Sequence, residues 1–242
     1  VDENTLHNWS SNYALSVYPI NSVYTFIPKN ACSTLRFSIA IANGFIRDIT
    51  DIQWIHNNNE TFRSTQREAS LASFTFVVLR CPYTRIASCF LDKIVDEVIS
   101  FNDEMGNKVS LNFYEFLLHI NSQHQSEREQ HWRNQSDFLH YEKYDEYFSL
   151  ELFSEAITLL ATHGLKVYDT RESIKHGISN LKAVDGDFSK MKAEQIKKMK
   201  EEGSAPNYKS MFSKVEIDLV NEIYKDDINL YKSHFGESEL LF

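Results

Sequence analysis

Cysteine, basic charge and long apolar runs are all scarce in this chain, and each shortage excludes a class of protein. Three cysteines in 242 residues, Cys32, Cys81 and Cys89, make no disulfide framework, and their odd number and isolated spacing suit a reducing compartment. Acidic residues outnumber basic ones by 34 to 25, a formal net charge of −9. That balance argues against general binding to nucleic acid or to an anionic membrane, so any anionic ligand must be held by a local site. No apolar run approaches the roughly 18 to 20 residues of a membrane span, and no signal peptide opens the sequence, so a soluble, cytoplasmic protein is expected. No internal repeat is visible. The G-x-x-x-x-G-K-Ser/Thr loop of nucleotide triphosphatases is also missing.

What the chain does have is core material. Hydrophobic residues make up 42% of it, enough for one globular domain over residues 1–242. Val23 to Ile27 is a short apolar, β-branched run, and Leu35, Ile39, Ala42 and Phe45 follow at helical spacing. Ile52 to Ile55 is read as a second strand. Phe74 to Leu79, FTFVVL, is a third, apolar on both faces as a central parallel strand should be. Pro82 then opens a helix carrying Ile86, Phe90, Ile94 and Ile99. This alternation predicts an α/β fold, with a central, mostly parallel sheet flanked by helices. Further helices are expected over Leu111–Ile120, Leu152–Gly164 and about Val215–Phe235, with a short strand, LKVYD, at Leu165–Asp169. The lysine-rich segment at about 182–206 suits either a solvated loop or a lid.

The polar knot PKNACST, between the first strand and its helix, sits where open α/β sheets place ligands. A helix beginning there aims unpaired amides and a positive dipole end at the loop. Lys29 adds a full charge, and Ser33 and Thr34 add hydroxyls, which together suit an anion. The same residues suit a plainer role, in which the hydroxyls cap the helix and Lys29 is solvated.

IPKNACSTLR, Ile27 to Arg36, resembles the phosphosulfate-binding loop of sulfotransferases that use 3′-phosphoadenosine 5′-phosphosulfate (PAPS). FVVLRCPYTRIASCF resembles their second signature, R-D-P-F-x-R-x-x-S-x-Tyr/Phe, with Arg80, Pro82, Tyr83, Arg85, Ser88 and Phe90 in place and Cys81 where the family usually has aspartate. EQHWRNQSDFL (Glu129 to Leu139) is similar to the H-W segment of the carbohydrate, or type 2, branch. VNEIYKDDINLYKSHFG resembles its closing helix. The resemblance implies a P-loop nucleotide-kinase-like sulfotransferase fold and sulfuryl transfer to an acceptor hydroxyl or amine, with adenosine 3′,5′-bisphosphate as product. It assigns the 5′-phosphosulfate to Pro28, Lys29, Asn30, Ala31, Cys32, Ser33 and Thr34, and the 3′-phosphate to Arg80 and Ser88. A small molecule or glycan is the implied partner, and a Golgi-lumenal catalytic domain without its anchor is the alternative setting.

In such a reaction Lys29 would stabilise charge on the leaving oxygen. The base would be a histidine: His56 first, since WIHN is read as the end of a strand between the two signatures, and His131 second. A surface role for His56 is an equal reading. No zinc spacing is found, and no catalytic metal is expected. Two other functions stay open: a nucleotide or small-molecule kinase, and a non-catalytic binding protein on the same fold.

Overall fold

A computed structural model describes residues 3–58, 60–170, 178 and 180–242. In chain order these form α1 (Glu3–Ser10), β1 (Ala14–Val17), β2 (Ser22–Thr25), α2 (Cys32–Ala42), the single turn α3 (Trp54–Asn57), α4 (Gln66–Leu71), β3 (Phe74–Leu79) and α5 (Pro82–Cys89). A short hairpin, β4 (Phe101–Asn102) and β5 (Lys108–Val109), leads to α6 (Phe113–Ser122), β6 (Glu146–Ser149) and α7 (Phe153–Thr162). β7 (Lys182–Val184), α8 (Ala193–Glu201), β8 (Ser204–Pro206), α9 (Lys214–Ile223) and α10 (Lys225–Phe235) complete the order. Two compact units divide the chain: Val1–Arg80 with Asn134–Ser173, and Cys81–Arg133 with Ile174–Phe242.

The first unit is built on a four-stranded sheet in the order β1-β2-β3-β6. β2, β3 and β6 run parallel, and β1 joins β2 antiparallel, with Val23 opposite Thr75 and Val77 opposite Tyr147. All six residues of β3 are buried, which is why its sequence is apolar on both faces and rich in β-branched and aromatic side chains. Leu15, Tyr24, Leu35, Phe76, Phe148 and Leu160 belong to the core that joins sheet and helices. The expected mixed α/β architecture is therefore the observed one.

The second unit is mostly helical. Pro82 occupies the first turn of α5, where its missing N–H costs nothing. Reciprocal capping boxes start α6 (Asn112 with Glu115) and α9 (Ser213 with Glu216). Phe90, Phe113, Phe116 and Trp132 pack as buried rings 5.4–5.6 Å apart. Residues 182–206 form the parallel pair β7 and β8 with α8 between them. Ile196 and Ala205 of this segment are fully buried, and Lys192 and Lys200 pair with Glu115 and Asp96.

Several expected elements take another form. Ile52 to Ile55 is no strand: it is a turn entering α3. Its two isoleucines stand three apart, half-buried and buried, which is the spacing of one helical face. Asp48 begins this region by accepting the Thr50 amide at 2.9 Å. Leu165–Asp169 forms no strand either; its Tyr168 amide donates to Ser38 Oγ of α2 at 2.9 Å, not to a neighbouring strand. Phe45 lies beyond α2, after Gly44 (φ +80°) has turned the chain. The closing helix is two helices broken at Tyr224, whose φ of −117° is not helical and whose buried hydroxyl donates to the Trp132 carbonyl at 2.6 Å. Among the described residues, no helix is long and apolar enough to cross a membrane.

Two buried tyrosines of the first unit differ in one respect. Tyr144 donates its hydroxyl to Thr25 Oγ1 (2.7 Å) and accepts the His140 amide (2.8 Å). The Tyr24 hydroxyl is equally enclosed and has no hydrogen-bond partner among the described residues. Tyr144→Phe should therefore cost about 1–3 kcal/mol in chemical denaturation, whereas Tyr24→Phe should be neutral or stabilising. Equal losses from the two variants would show that the Tyr24 hydroxyl is satisfied.

Candidate functional site

β2 and β3 run parallel and side by side, so the loops that leave them emerge at the same carboxyl edge of the sheet. After β2 the chain makes a tight turn, in which the Asn30 amide donates to the Ile27 carbonyl at 3.2 Å. Lys29 and Ala31 both have left-handed backbones, φ +74° and +54°. Neither is glycine, so each conformation carries a cost of about 1–2 kcal/mol that neighbouring contacts must offset.

The offsetting contacts are visible. Asn30 is fully buried, and its Nδ2 donates to the Val78 carbonyl (2.8 Å) and to Gln135 Oε1 (2.6 Å). Gln135 also clamps the backbone of Arg80: Oε1 accepts the Arg80 amide and Nε2 donates to the Arg80 carbonyl, each at 2.9 Å. Arg80 in turn donates from Nη1 to the Lys29 carbonyl at 3.0 Å. The loop and the end of β3 are thus stapled together, which places Lys29 and Arg80 at one edge.

α2 begins at this loop without a side-chain cap. Its N-cap is Ala31, which has no acceptor to offer, and its first intrahelical bond runs from the Leu35 amide to the Ala31 carbonyl at 3.1 Å. The amides of Cys32, Ser33 and Thr34 come before that bond and carry the positive end of the helix dipole. Thr34 is buried, and its hydroxyl is hydrogen-bonded to Thr170 at 2.8 Å. Ser33 and Cys32 remain half-buried, while Cys81 and Cys89 are enclosed. One turn on, Arg36 is buried against Phe26 and donates to the Ile55 carbonyl. Burial lowers its pKa, an effect opposed by Cys32 and Tyr24. His56 sits exposed in the last turn of α3 and does not end a strand.

The remaining predicted residues lie in the second unit. Ser88 is buried on α5. Arg85, on the same helix, is also buried and donates to the Arg133 carbonyl at 2.8 Å, and Tyr83 donates to Asn221 Oδ1 at 2.6 Å. Cys81 is the uncapping N-cap of α5, and its Sγ accepts the Leu241 amide at 3.4 Å.

His131 is held by Glu129. Glu129 Oε2 accepts the His131 amide at 2.8 Å, and its two oxygens lie 2.8 and 2.9 Å from Nδ1. Burial would push the Glu129 carboxyl up, but the hydrogen bonds and charge of His131, helped by Lys93, hold it below the usual carboxylate range. Sequence reasoning missed this carboxylate, although it stands two residues before the histidine in the quoted EQHW. It also missed the structural use of Gln135, for which nothing in a local pattern gives a signal.

A family model described as the sulfotransferase family matches residues 20–234. No curated protein and no solved structure matches the chain.

The clamp gives a direct test. Gln135→Leu keeps much of the volume but leaves Asn30 Nδ2 and both backbone polar groups of Arg80 without this partner, so stability should fall by at least about 2 kcal/mol. A loss below about 0.5 kcal/mol in denaturant unfolding would mean that other groups or water hold the loop.

Proposed function

Since the chain belongs to the sulfotransferase family, we propose that it transfers a sulfuryl group from PAPS to an acceptor hydroxyl or amine, with a sugar hydroxyl favoured by the type 2 resemblance of residues 129–139. The observation that carries this reading is the uncapped start of α2 on a strained loop that is stapled to Arg80 and bears Lys29. Such an arrangement suits an anion larger than a single carboxylate, and it lacks the glycines that let a triphosphate loop wrap its ligand.

The donor supplies an activated sulfuryl group. The residues of this chain have positioning and electrostatic work to do, as in phosphoryl transfer. The amides of Cys32, Ser33 and Thr34 suit the 5′-phosphosulfate, with Pro28, Asn30 and Ala31 shaping the loop. The Lys29 ammonium suits the oxygen that gains charge as the S–O bond breaks. Arg80 and Ser88 are assigned to the 3′-phosphate. An arginine offers a planar fork of donors, of which one here is spent on the Lys29 carbonyl. A histidine takes the acceptor proton, and His56 and His131 are the two candidates.

Two measurements test the donor. Adenosine 3′,5′-bisphosphate should raise the melting temperature more than ADP or AMP does, and Arg80→Ala should weaken it selectively by roughly 1.5–3 kcal/mol. Equal shifts from all three nucleotides would favour a nucleotide kinase instead. Lys29→Ala should reduce labelled-sulfate transfer from PAPS to a panel of glycans and small alcohols far more than it reduces bisphosphate affinity, because its role belongs to the transition state. A parallel loss of both would make Lys29 a simple binding residue.

A further inference from the structure

Resting on the sulfotransfer reading, we infer that Glu129 is a positioning residue: it holds His131 in the Nδ1–H tautomer and so makes Nε2 the atom that receives the acceptor proton. An ionised carboxylate can only accept hydrogen bonds. With both Glu129 oxygens within 2.9 Å of Nδ1, the ring proton must sit on Nδ1. A neutral imidazole carries one such proton, which leaves a lone pair on Nε2. Among the described residues, Nε2 has no hydrogen-bond partner.

The pair is fixed from both sides by backbone. The amides of Trp132 and Arg133 fold back onto the Glu129 carbonyl at 3.1 and 2.9 Å. Trp132 is buried, donates from Nε1 to Gln123 Oε1 at 3.0 Å, and gives its carbonyl to Tyr224. Arg133 donates from Nη1 to the Ser126 carbonyl at 2.9 Å. The imidazole therefore has an anchored partner, as a general base needs when its protonated form must be stabilised. Lys93 is the charged group that acts on Glu129 from another element, and Asp92 pairs with that lysine at 3.2 Å. His56 has a different setting, exposed on a helix of four residues.

The step balances as follows. The acceptor oxygen forms a bond to sulfur as the bond from sulfur to the phosphate oxygen breaks, and the bonding pair stays on that leaving oxygen. The acceptor proton passes to Nε2, giving an imidazolium beside the Glu129 carboxylate, and then returns to water.

The test uses the full chain labelled with 15N-histidine. The wild-type protein should show His131 in the Nδ1–H tautomer by long-range 15N NMR, the signal being assigned by its loss in His131→Asn. In Glu129→Gln both tautomers should appear, turnover should fall by about 10²-fold or more, and the melting shift with adenosine 3′,5′-bisphosphate should persist. The double variant Glu129→Gln/His131→Asn should be no slower than His131→Asn alone, since the two act as one unit. An Nε2–H tautomer in the wild type, or undiminished turnover in Glu129→Gln alongside an active wild type, overturns the inference and leaves the donor reading standing. A wild-type protein that moves no sulfate from PAPS and gains no melting shift from the bisphosphate overturns the donor reading and, with it, the proton-transfer role.

Discussion

The side-chain amide of Gln135 is the contact on which the first unit's edge depends. One side chain pairs at once with the N–H and the C=O of Arg80, which belong to two successive peptide groups, and with the side-chain amide nitrogen of Asn30. Its three bonds all lie in buried surroundings, where an unmade bond costs more than a made one contributes. That asymmetry turns the clamp into a constraint: releasing Gln135 would take one partner from three buried polar groups of the loop after β2 and the end of β3. Lys29 and Arg80 are carried along by it.

The strained loop reads differently once this is seen. Positive φ at Lys29 and Ala31 would be relieved by a glycine at either place. The chain uses residues that resist the conformation, and Asn30 between them is buried to hold it. Backbone strain next to an uncapped helix is found where amides must be presented outward in a set direction, and a bonded loop can store it.

Much of this was legible in the sequence, for physical reasons that can be traced residue by residue. FTFVVL announced a central strand because nothing but burial on both faces accepts six such residues in a row, and PKNACST stood out because polar side chains interrupted two apolar periods. The place of the loop could be read, but neither its left-handed turns at Lys29 and Ala31 nor its fastening could: Asn30 and Gln135 meet side chain to side chain across 105 positions, so no spacing rule connects them. Ile52 and Ile55 fit a strand only if their spacing of three is ignored, and the closing helix breaks at Tyr224, whose hydroxyl contact leaves no mark in a hydrophobic pattern. The histidines show the same limit. His131 and its carboxylate stood two residues apart in print, whereas His56 was placed by the element expected to carry it, and that element proved to be a helix.

Thr34 points to a consequence of a different kind. Its hydroxyl meets that of Thr170 in a buried pair, so the first turn of α2 is tied to a segment that follows β6 and α7 in the chain. Two hydroxyls facing each other have one hydrogen too many for a single bond, so one of them must direct its proton elsewhere. The choice gives the first turn of α2 two proton arrangements with the same heavy-atom geometry.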